Sequence, residues 1–348
     1  MRVAIIGTGG IARVHAGAVR ALGHSVALVA GHSLRGAEEF ARACGCSRFT
    51  DRLTADLLAD ADCAHICTPP ETHGAFIRLC IAAGKPVLCE KPLSLSAAEA
   101  AELAALAEAK GVPAAVDFNS RFYPACARVR DEVGRMGRTV LVQGLYRQEF
   151  HILPAAYSWR YRERLRAVTE IGSHFIDLMR YLTGLEVEAA SASFLNATPR
   201  RVLRDGVMYP DGAGEPILVE SEDAAAAAFR LAGGALASAV FSEISPGRSN
   251  DLRIEISSPD RSVSWRSERP CEVVTGALGA GLTTRCDAFA GGFPDTFRDC
   301  FAAFYRAAEG GVPDGRLASF RDGAVNAAVC EALAASARSD GRFEEVRL

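Results

Sequence analysis

A lysine at position 91 is the first residue of this sequence that could do acid–base chemistry. The chain has 39 residues of the Lys and Arg types, and its only lysines are Lys85, Lys91 and Lys110. Arginine stays charged at any workable pH, whereas a desolvated lysine can release its proton and act as an acid or a base. Glu90 comes directly before Lys91. We interpret Lys91 as a catalytic candidate; the alternative is a surface lysine in a chain whose coding favours arginine.

A histidine at position 174 is the second candidate. In an α-helix, spacings of four and three residues put Glu170, His174 and Asp177 along one face. A carboxylate four residues before a histidine can hold the imidazole in one orientation, and an imidazole exchanges its proton near neutral pH. Together with Lys91 and a cofactor site in the same chain, this spacing predicts that His174 and Glu170 are catalytic. The alternative is an exposed polar helix face on which Asp177 only caps a neighbour.

A glycine turn near the start of the sequence predicts a dinucleotide site. The β-branched run 3–6 leads into this turn, and a helical pattern follows it as far as Gly23. The first glycine permits a tight turn, the second lets the backbone approach a pyrophosphate, and the small last residue lets the helix pack closely on the strand. A purely structural glycine turn is the alternative. The predicted cofactor contacts of this turn are Gly7, Thr8, Gly9, Gly10, Ile11 and Ala12.

The segment after the second apolar run, residues 26–30, bears on which dinucleotide binds. An acidic residue there would accept a hydrogen bond from the ribose 2′-hydroxyl and favour NAD. The sequence instead offers the imidazole of His32, the hydroxyl of Ser33 and the guanidinium of Arg35, with no carboxylate among residues 31–35. These groups suit a 2′-phosphate. The segment predicts NADP as the preferred cofactor, with NAD possible if these residues are only a solvated loop.

Short strands and helices alternate over the first 120 residues. Strands are expected over 64–68, 86–89 and 112–118, and a capping box of Ser96 and Glu99 opens a helix that ends at Gly111. Repeated βα units predict a parallel sheet with helices on both faces and ligands at the carboxyl ends of the strands. His73 could also only cap or pack at the start of its helix. The cofactor contacts predicted at these ends are Thr68, Pro69, His73, Glu90, Lys91 and Asn119.

Longer alternating runs follow and predict a second domain with antiparallel strands. A loop or hairpin extension is expected over 205–216, and helices over 295–309 and 319–337. We therefore expect an α/β Rossmann domain with a doubly wound parallel sheet in residues 1–120, and an α+β substrate-binding domain in residues 121–348. The runs expected as antiparallel strands are 139–150, 188–197, 224–231, 235–244, 252–256 and 262–265.

Composition limits the classes of function. A hydrophobic fraction of 49% and a net charge of −3 exclude a disordered chain. They provide no excess of positive charge for binding nucleic acid or a membrane surface. We expect a small-molecule partner and, by default, a cytoplasmic location. The 11 cysteines form no C-x-x-C motif, so we expect reduced core residues and no metal site.

Seven strings of the sequence together resemble a known family. They are Gly7-x-Gly9-x-x-Ala12, Thr68-Pro69-Pro70-x-x-His73, Ala83-Gly84-Lys85-Pro86-Val87-x-x-Glu90-Lys91-Pro92, Arg121-Phe122-Tyr123-Pro124, Trp159-Arg160, Gly172-x-His174-x-x-Asp177-Leu178 and Asp322-Gly323. The chain resembles, over essentially its whole length, the glucose-fructose oxidoreductase, inositol 2-dehydrogenase and rhizopine-catabolism family of NAD(P)-dependent oxidoreductases. It departs in two places: Glu170 stands where the family has an aspartate, and residues 166–169 replace a glycine run.

The resemblance implies a fold and a set of roles. It implies an open-faced, mainly antiparallel sheet in the second domain, whose exposed face makes a homodimer or homotetramer. The family's catalytic lysine and histidine fall on Lys91 and His174. Basic residues at 147, 160 and 162 leave open a phosphorylated or carboxylated substrate, although a solvated basic strip is the favoured interpretation. The implied substrate-binding residues are Lys91, Tyr123, Trp159, Arg160, His174 and Asp177.

The implied activity is hydride transfer between a nicotinamide cofactor and the hydroxyl or carbonyl carbon of a polyol or keto substrate, namely a sugar, a sugar derivative or a cyclitol. The alternatives within enzymes are an imine or enone reductase and a redox-assisted eliminase of secondary metabolism. A non-catalytic NAD(P)-sensing regulator is the alternative of another class. The presence of both Lys91 and His174 speaks against it, because a sensor needs no proton-transfer pair.

Overall fold

The computed structural model describes residues 1–286 and 292–348. The first unit comprises Met1–Tyr123, the described part of Ala290–Ala327, and Leu348. The second comprises the described part of Pro124–Phe289, and Ala328–Arg347. Residues 292–327, expected within the substrate domain, thus fall in the first unit.

A seven-stranded sheet forms the centre of the first unit. Its strands, numbered along the chain, are β1 Arg2–Ile6, β2 Ser25–Ala30, β3 Phe49–Thr50, β4 Cys63–Ile66, β5 Val87–Cys89, β6 Ala114–Val116 and β19 Ala318–Ser319. The order is β19-β6-β5-β4-β1-β2-β3, and all neighbours run parallel except β19 and β6. The order reverses direction beside β1, at the kind of switch point where open α/β sheets bind ligands. The predicted doubly wound parallel sheet is confirmed.

Helices connect these strands. They are α1 Gly10–Ala21, α2 Leu34–Cys44, α3 His73–Ala82, α4 Ala97–Lys110 and α7 Phe293–Ala308, and the start of α8 Phe320–Arg338 also belongs to this unit. The hydroxyl of Ser96 accepts a hydrogen bond from the backbone N–H of Glu99, and Gly111 ends α4 in the left-handed conformation. The side chain of Glu99 instead accepts from Ser94, 2.5 Å away. Helix α7 packs on α1 with the side chains of Phe297 and Phe301 in the core.

A nine-stranded sheet dominates the second unit. Its order is β18-β17-β16-β15-β7-β14-β13-β9-β20. Helices α5 Pro124–Arg135 and α6 Ser173–Thr183 pack against its strands β15, β16, β17 and β7. Its strands are β7 Leu141–Arg147, β9 Val187–Leu195, β13 Ala224–Leu231, β14 Ala235–Ser242, β15 Asp251–Ser257, β16 Arg261–Arg266, β17 Glu272–Ala277, β18 Gly281–Cys286 and β20 Glu344–Glu345.

One strand pair of this sheet departs from the expectation. The runs 139–150 and 235–244 were expected to be antiparallel, but β7 and β14 pair in parallel, whereas the other neighbours are antiparallel. Alternation of apolar and polar residues predicts a strand and its faces and carries no information on its direction. The sheet is therefore mainly antiparallel, as predicted, with one parallel pair at its centre.

One face of the nine-stranded sheet is exposed. Leu236 and Val240 of β14 are 54% and 47% exposed, and their partners on β7, Leu141 and Leu145, share that face. On the opposite face Gly144 makes room for α6, because a Cβ there would lie 2.2 Å from the ring of Phe175. Among the described residues, no helix has the length and apolar character needed to cross a bilayer.

A small four-stranded sheet completes the second unit. Its strands are β8 Ala155–Ala156, β10 Arg200–Arg204, β11 Val207–Tyr209 and β12 Glu215–Leu218, in the order β12-β10-β11-β8. The region expected as a loop or hairpin extension contributes β11 and the start of β12 to this sheet. Its own small core includes Tyr161, Met208 and Val219.

Candidate active site

The glycine turn between β1 and α1 has the geometry that a dinucleotide requires. Gly7 has φ +119°, and a Cβ there would lie 2.5 Å from the carbonyl oxygen of Cys67, so only glycine fits. Gly9 is the N-cap of α1 and makes no side-chain cap, which leaves N–H groups of the first turn available to an anion. The space beside Gly9 and Gly10 is open within 4 Å. These residues fit the pyrophosphate of NAD or NADP.

The residues after β2 lie on the surface. The hydroxyl of Ser33 caps α2 by accepting from the backbone N–H of Gly36 at 3.2 Å. Nε of Arg35 donates to Glu39 at 2.9 Å in an exposed pair one helical turn apart. His32 is also exposed. Arg35 therefore has a carboxylate partner on its own helix, Glu39, which lies outside the segment 31–35 on which the prediction rests.

His73 occupies the interior of the turn after β4. Its Nδ1 lies 2.9 Å from the carbonyl oxygen of Pro92, and its Nε2 lies 2.9 Å from that of Thr68. Burial lowers the pKa of His73, and the carbonyl oxygens of Thr68 and Pro92 oppose that shift. The Thr72 hydroxyl donates to Pro69 O at 2.8 Å and lies 2.7 Å from Thr68 Oγ1. The ring of His73 thus connects this turn to the segment that follows Lys91.

Glu90 and Lys91 follow β5 directly. Lys91 is partly buried, and Glu90 is 8% exposed. The backbone N–H of Lys91 donates to Oε2 of Glu90 at 3.2 Å. Lys91 therefore lies at the carboxyl end of the parallel sheet, where ligands of this fold class bind.

Two further predicted residues lie in the segment after β6. The side-chain amide of Asn119 is buried and donates to the hydroxyl of Thr296, on α7, at 2.7 Å. Tyr123 is 3% exposed, at the end of the first unit. Asn119 is thus tied to a helix from far along the chain.

A buried polar cluster beneath Glu90 was missed by the sequence analysis. Nε2 of His15 lies 3.1 Å from Oε1 of Glu90 and 3.4 Å from Oδ2 of Asp117. Nδ1 of His15 lies 3.0 Å from Nδ1 of His65, whose Nε2 lies 3.2 Å from the Tyr305 hydroxyl. The signal was present, since Asp117 lies within the predicted strand 112–118 and His15 and His65 interrupt apolar patterns.

The second unit places Glu170 in a wider turn than predicted. Val168–Gly172 is π-helical, and the α-helix α6 begins only at Ser173. The prediction assumed α-helical geometry for the spacing of four residues between Glu170 and His174. The π-turn at Glu170 does not have that geometry. Single π-turns are frequent at functional sites.

The predicted substrate-binding residues of this unit differ in burial. Oε2 of Glu170 pairs with Nε of Arg160 at 3.2 Å, and the Arg160 guanidinium lies 4.5 Å from the ring centroid of Trp159. The ring of His174 is partly exposed and packs edge-on against Tyr146, 6.1 Å between centroids. Asp177 is fully buried, so it does not lie on an exposed polar helix face, which was the alternative interpretation. Glu170 is thus held by Arg160.

A buried ionic network lies directly before the π-turn. The guanidinium of Arg166, 0% exposed, pairs with Asp223 and Glu243, and Asp223 also pairs with Arg201 at 3.0 Å. The ring of Tyr161 faces both guanidinium groups, with 5.0 Å to that of Arg166 and 5.3 Å to that of Arg201. The residues that replace the family's glycine run thus anchor the segment that leads to Glu170.

Two further groups complete this network. His151 contacts the Tyr161 hydroxyl, and burial, followed by Arg166, lowers the pKa of His151 to about 3. The carboxylate of Glu222 accepts from the backbone N–H groups of Arg166 and Val168, at 3.0 and 2.8 Å. The segment is therefore held through its main chain as well as its side chain.

The expected solvated basic strip is only partly present. Arg147 donates to the buried Asp251 at 2.6 Å, and Arg160 pairs with Glu170, whereas Arg162 is exposed. Each of the first two guanidinium groups already has a carboxylate partner within the unit. They therefore provide no evidence for a phosphorylated or carboxylated substrate.

The parallel sheet, its switch point and the glycine turn define the first unit as a dinucleotide-binding Rossmann unit. Residues 1–118 match the model of an oxidoreductase family with an NAD-binding Rossmann fold, GFO/IDH/MocA, and residues 127–263 match its C-terminal domain. The chain belongs to this oxidoreductase family.

The relatives of this chain include an inositol dehydrogenase and a levoglucosan dehydrogenase. The chain is 31% identical to inositol 2-dehydrogenase 2 of Saccharopolyspora erythraea, over 79% of this chain and 74% of that protein. It is 30% identical to levoglucosan dehydrogenase of Pseudarthrobacter phenanthrenivorans, over 62% of this chain but only 57% of that protein. A solved levoglucosan dehydrogenase in complex with NADH and L-sorbose superposes with a TM-score of 0.89 at 26% identity, covering 100% of this chain and 99% of the other.

Proposed function

We propose that this protein is an NAD(P)-dependent oxidoreductase that transfers hydride between a nicotinamide cofactor and the hydroxyl or carbonyl carbon of a sugar, a sugar derivative or a cyclitol. The observation that carries the proposal is Lys91 at the carboxyl end of β5, in the same unit as the glycine turn of Gly7 and Gly9. The inositol and levoglucosan dehydrogenases among the relatives support the substrate class.

The chain's own residues divide the work as follows. Gly7, Gly9 and the N-terminus of α1 would bind the cofactor's pyrophosphate. The bound cofactor would supply the hydride acceptor or donor. Oxidation of an alcohol also requires a base for the hydroxyl proton and a donor that holds the oxygen. The Lys91 amine and the His174 imidazole are the two groups proposed for these tasks, and either could take the proton.

Glu170 is proposed as a third catalytic or substrate-binding group. The ion pair with Arg160 holds the carboxylate of Glu170 in place. The guanidinium of Arg160 is itself held by its cation–π contact with the ring of Trp159. A carboxylate held in this way can accept hydrogen bonds from substrate hydroxyls. Trp159, Asp177 and Tyr123 remain proposed substrate-binding residues; Asp177 and Tyr123, being buried, would act by shaping the site.

Turnover assays test the proposed function directly. The purified protein would be mixed with NADP or NAD and a panel of aldoses, nucleotide sugars and cyclitols, and with NADPH or NADH and ketosugars. The near-ultraviolet absorbance of the reduced nicotinamide would be followed in both directions. We expect turnover on at least one polyol class. Tight cofactor binding with no turnover on any compound would favour the sensing regulator instead.

We propose NADP as the preferred cofactor, with NAD also accepted. The support is the absence of a carboxylate from residues 31–35. The Arg35–Glu39 pair weakens this support, and the solved levoglucosan dehydrogenase complex contains NADH. The preference therefore requires its own test.

Replacing Ser33 with aspartate should reverse such a preference. Aspartate is as good an N-cap as serine, so α2 should remain capped, while the new carboxylate repels a 2′-phosphate. Two like charges about 4 Å apart near a surface repel by roughly 1–4 kcal/mol, so KM for NADP should rise about tenfold or more. KM for NAD should change little. Ser33→Asn, a neutral cap, is the control, and an equal effect of both variants would contradict the prediction.

We also propose a homodimer or homotetramer formed through the exposed face of the nine-stranded sheet. Exposed apolar side chains at Leu236 and Val240 support it. A depression of about 470 Å³ on this face, lined among others by Arg253, Glu255 and Glu272, adds charged groups that a second copy could pair with. Sedimentation equilibrium tests the proposal; a monomeric mass at micromolar concentration would contradict it.

A further inference from the structure

The buried cluster around His15 has no role in the proposed proton transfer, yet it reaches the residue next to Lys91. Its members are contributed by α1, three neighbouring strands of the parallel sheet and α7. His15, His65 and Asp117 are at most 1% exposed. Burying this many polar groups is costly unless their hydrogen bonds are satisfied. The positions of the protons therefore decide whether the hydrogen bonds of this cluster are satisfied.

The hydrogen bonds fix where one proton must be. The oxygen atoms of ionised carboxylates only accept, so Nε2 of His15 must carry a hydrogen toward Glu90 and Asp117. On the other side of the ring, two nitrogen atoms face each other 3.0 Å apart, and one proton must lie between His15 and His65. Donation from His15 to a neutral His65 satisfies both conditions. His65 then donates from Nε2 to the hydroxyl of Tyr305.

The charges around the ring agree with this assignment. Burial alone would lower the pKa of His15, but the hydrogen bonds with Asp117 and Glu90 raise it above its usual value. Burial, with His15 second, lowers the pKa of His65. Of the two rings, His15 is therefore the one that binds a proton more strongly.

The remaining groups against the ring carry no competing charge. Burial raises the pKa of the Cys67 thiol and, together with nearby Asp117, that of Cys300, so both stay protonated. Phe297 and Phe301 cover the ring of His15 from α7. Burial also raises the pKa of Asp117, which lies opposite Glu90 across the same ring. The Nε2–H of His15 is the group that lies between the two carboxyl groups.

Glu90 connects this cluster to the main chain of Lys91. One carboxylate oxygen of Glu90 accepts from His15, and the other accepts from the backbone N–H of Lys91 at 3.2 Å. The backbone N–H of Glu90 is itself bonded to the carbonyl oxygen of Ile66 in β4. The carboxylate thus has one fixed partner on each side.

We propose that His15 is a positioning residue, which through its protonated Nε2 holds Glu90 and so fixes the backbone of Lys91 at the end of β5. This role rests on the proposed function only where it concerns catalysis; the connection from His15 through Glu90 to the Lys91 amide stands independently of turnover.

A matched pair of variants tests the proposal. Glutamine at position 15 keeps an uncharged N–H donor near the position of Nε2, whereas leucine removes the donor. We expect kcat of His15→Leu to fall about 10- to 100-fold, since a misplacement of about 1 Å can cost about 100-fold. His15→Gln should recover most of that loss. Equal losses of kcat in both variants would overturn the proposal.

Hydrogen exchange of the Lys91 amide, read by mass spectrometry on a peptide spanning residues 89–93, supplies a readout that does not depend on turnover. We expect faster exchange in His15→Leu and near wild-type exchange in His15→Gln. Unchanged exchange in His15→Leu would overturn the proposal. If the wild-type protein turns over no substrate but exchange is still faster in His15→Leu, the proposed function is contradicted. The connection from His15 to Lys91 then remains supported.

Tyr305→Phe serves where His15→Leu fails to fold. It removes only the hydroxyl at the far end of the chain of hydrogen bonds, 3.2 Å from His65. It should speed the exchange of the Lys91 amide by loosening the two rings, and an unchanged exchange rate would contradict the proposal.

Elemental analysis separates the proposal from a metal site. The side chains of His15, Glu90 and Asp117 are of metal-binding types, and their ligand atoms lie within 4.8 Å of one another. A stoichiometric metal ion in the purified protein would make Nε2 of His15 a ligand and would overturn its role as a donor. We expect none.

Discussion

Replacing Lys91 with methionine should lower kcat/KM by about 100- to 10,000-fold, the usual worth of a positioned proton transfer. Methionine keeps most of the apolar stem and removes the amine. The glycine turn that would hold the cofactor lies in a different segment, so the affinity for NADPH or NADH should remain within a few-fold of wild type. Steady-state kinetics and quenching of nicotinamide fluorescence measure the two quantities.

Lys85→Met is the matched control for this variant. Lys85 lies in the same segment, but its amine donates to the carbonyl oxygens of Ala59 and Ala61, at 3.1 and 2.7 Å. Its removal should leave kcat/KM near the wild-type value and cost some stability. Parallel loss of cofactor binding and turnover in Lys91→Met would identify Lys91 as a cofactor residue, and activity within a few-fold of wild type would remove it from the chemistry.

The Arg166→Met variant should destabilise the second unit by about 3–5 kcal/mol, the usual cost of removing one partner of a buried ion pair. Asp223 and Glu243 are 2% and 1% exposed, and both would lose their pairing with Arg166. The urea midpoint of unfolding measures the effect. Both tryptophans of the chain, Trp159 and Trp265, lie in the second unit, so intrinsic tryptophan fluorescence reports on that unit selectively.

Two further variants control this experiment. Arg164→Met removes an exposed guanidinium two residues away and should change stability by no more than about 0.5 kcal/mol. Adding Glu243→Gln to Arg166→Met removes one of the uncompensated carboxylates and should recover part of the lost stability. A midpoint for Arg166→Met equal to that of Arg164→Met would show that the buried network contributes little.

The elements of the first unit could be predicted because their signals are local. A β-branched run and a glycine that no other residue could replace define β1 and the turn at Gly7. Ser96 and Gly111 define both ends of α4, since caps act within a few residues. Glu90 and Lys91 could be placed at the end of a strand for the same reason.

The features that could not be predicted depend on residues far apart in sequence. The parallel pairing of β7 with β14 depends on how the chain between them crosses the sheet, which alternation does not encode. Arg166 was seen only as a departure from a glycine run, because its partners Asp223 and Glu243 lie more than 50 residues away. The π-turn at Glu170 likewise has no simple pattern of residue types.

The return of α7 to the first unit has a consequence for how the protein is made. During synthesis, residues 1–123 leave the ribosome long before Phe293–Ala308 exists. At about 5–20 residues per second the interval is roughly 10–30 s. Until then the surface that Phe297 and Phe301 cover is bare, and His15 faces water. A truncated chain that stops before α7 therefore cannot complete its nucleotide-binding unit.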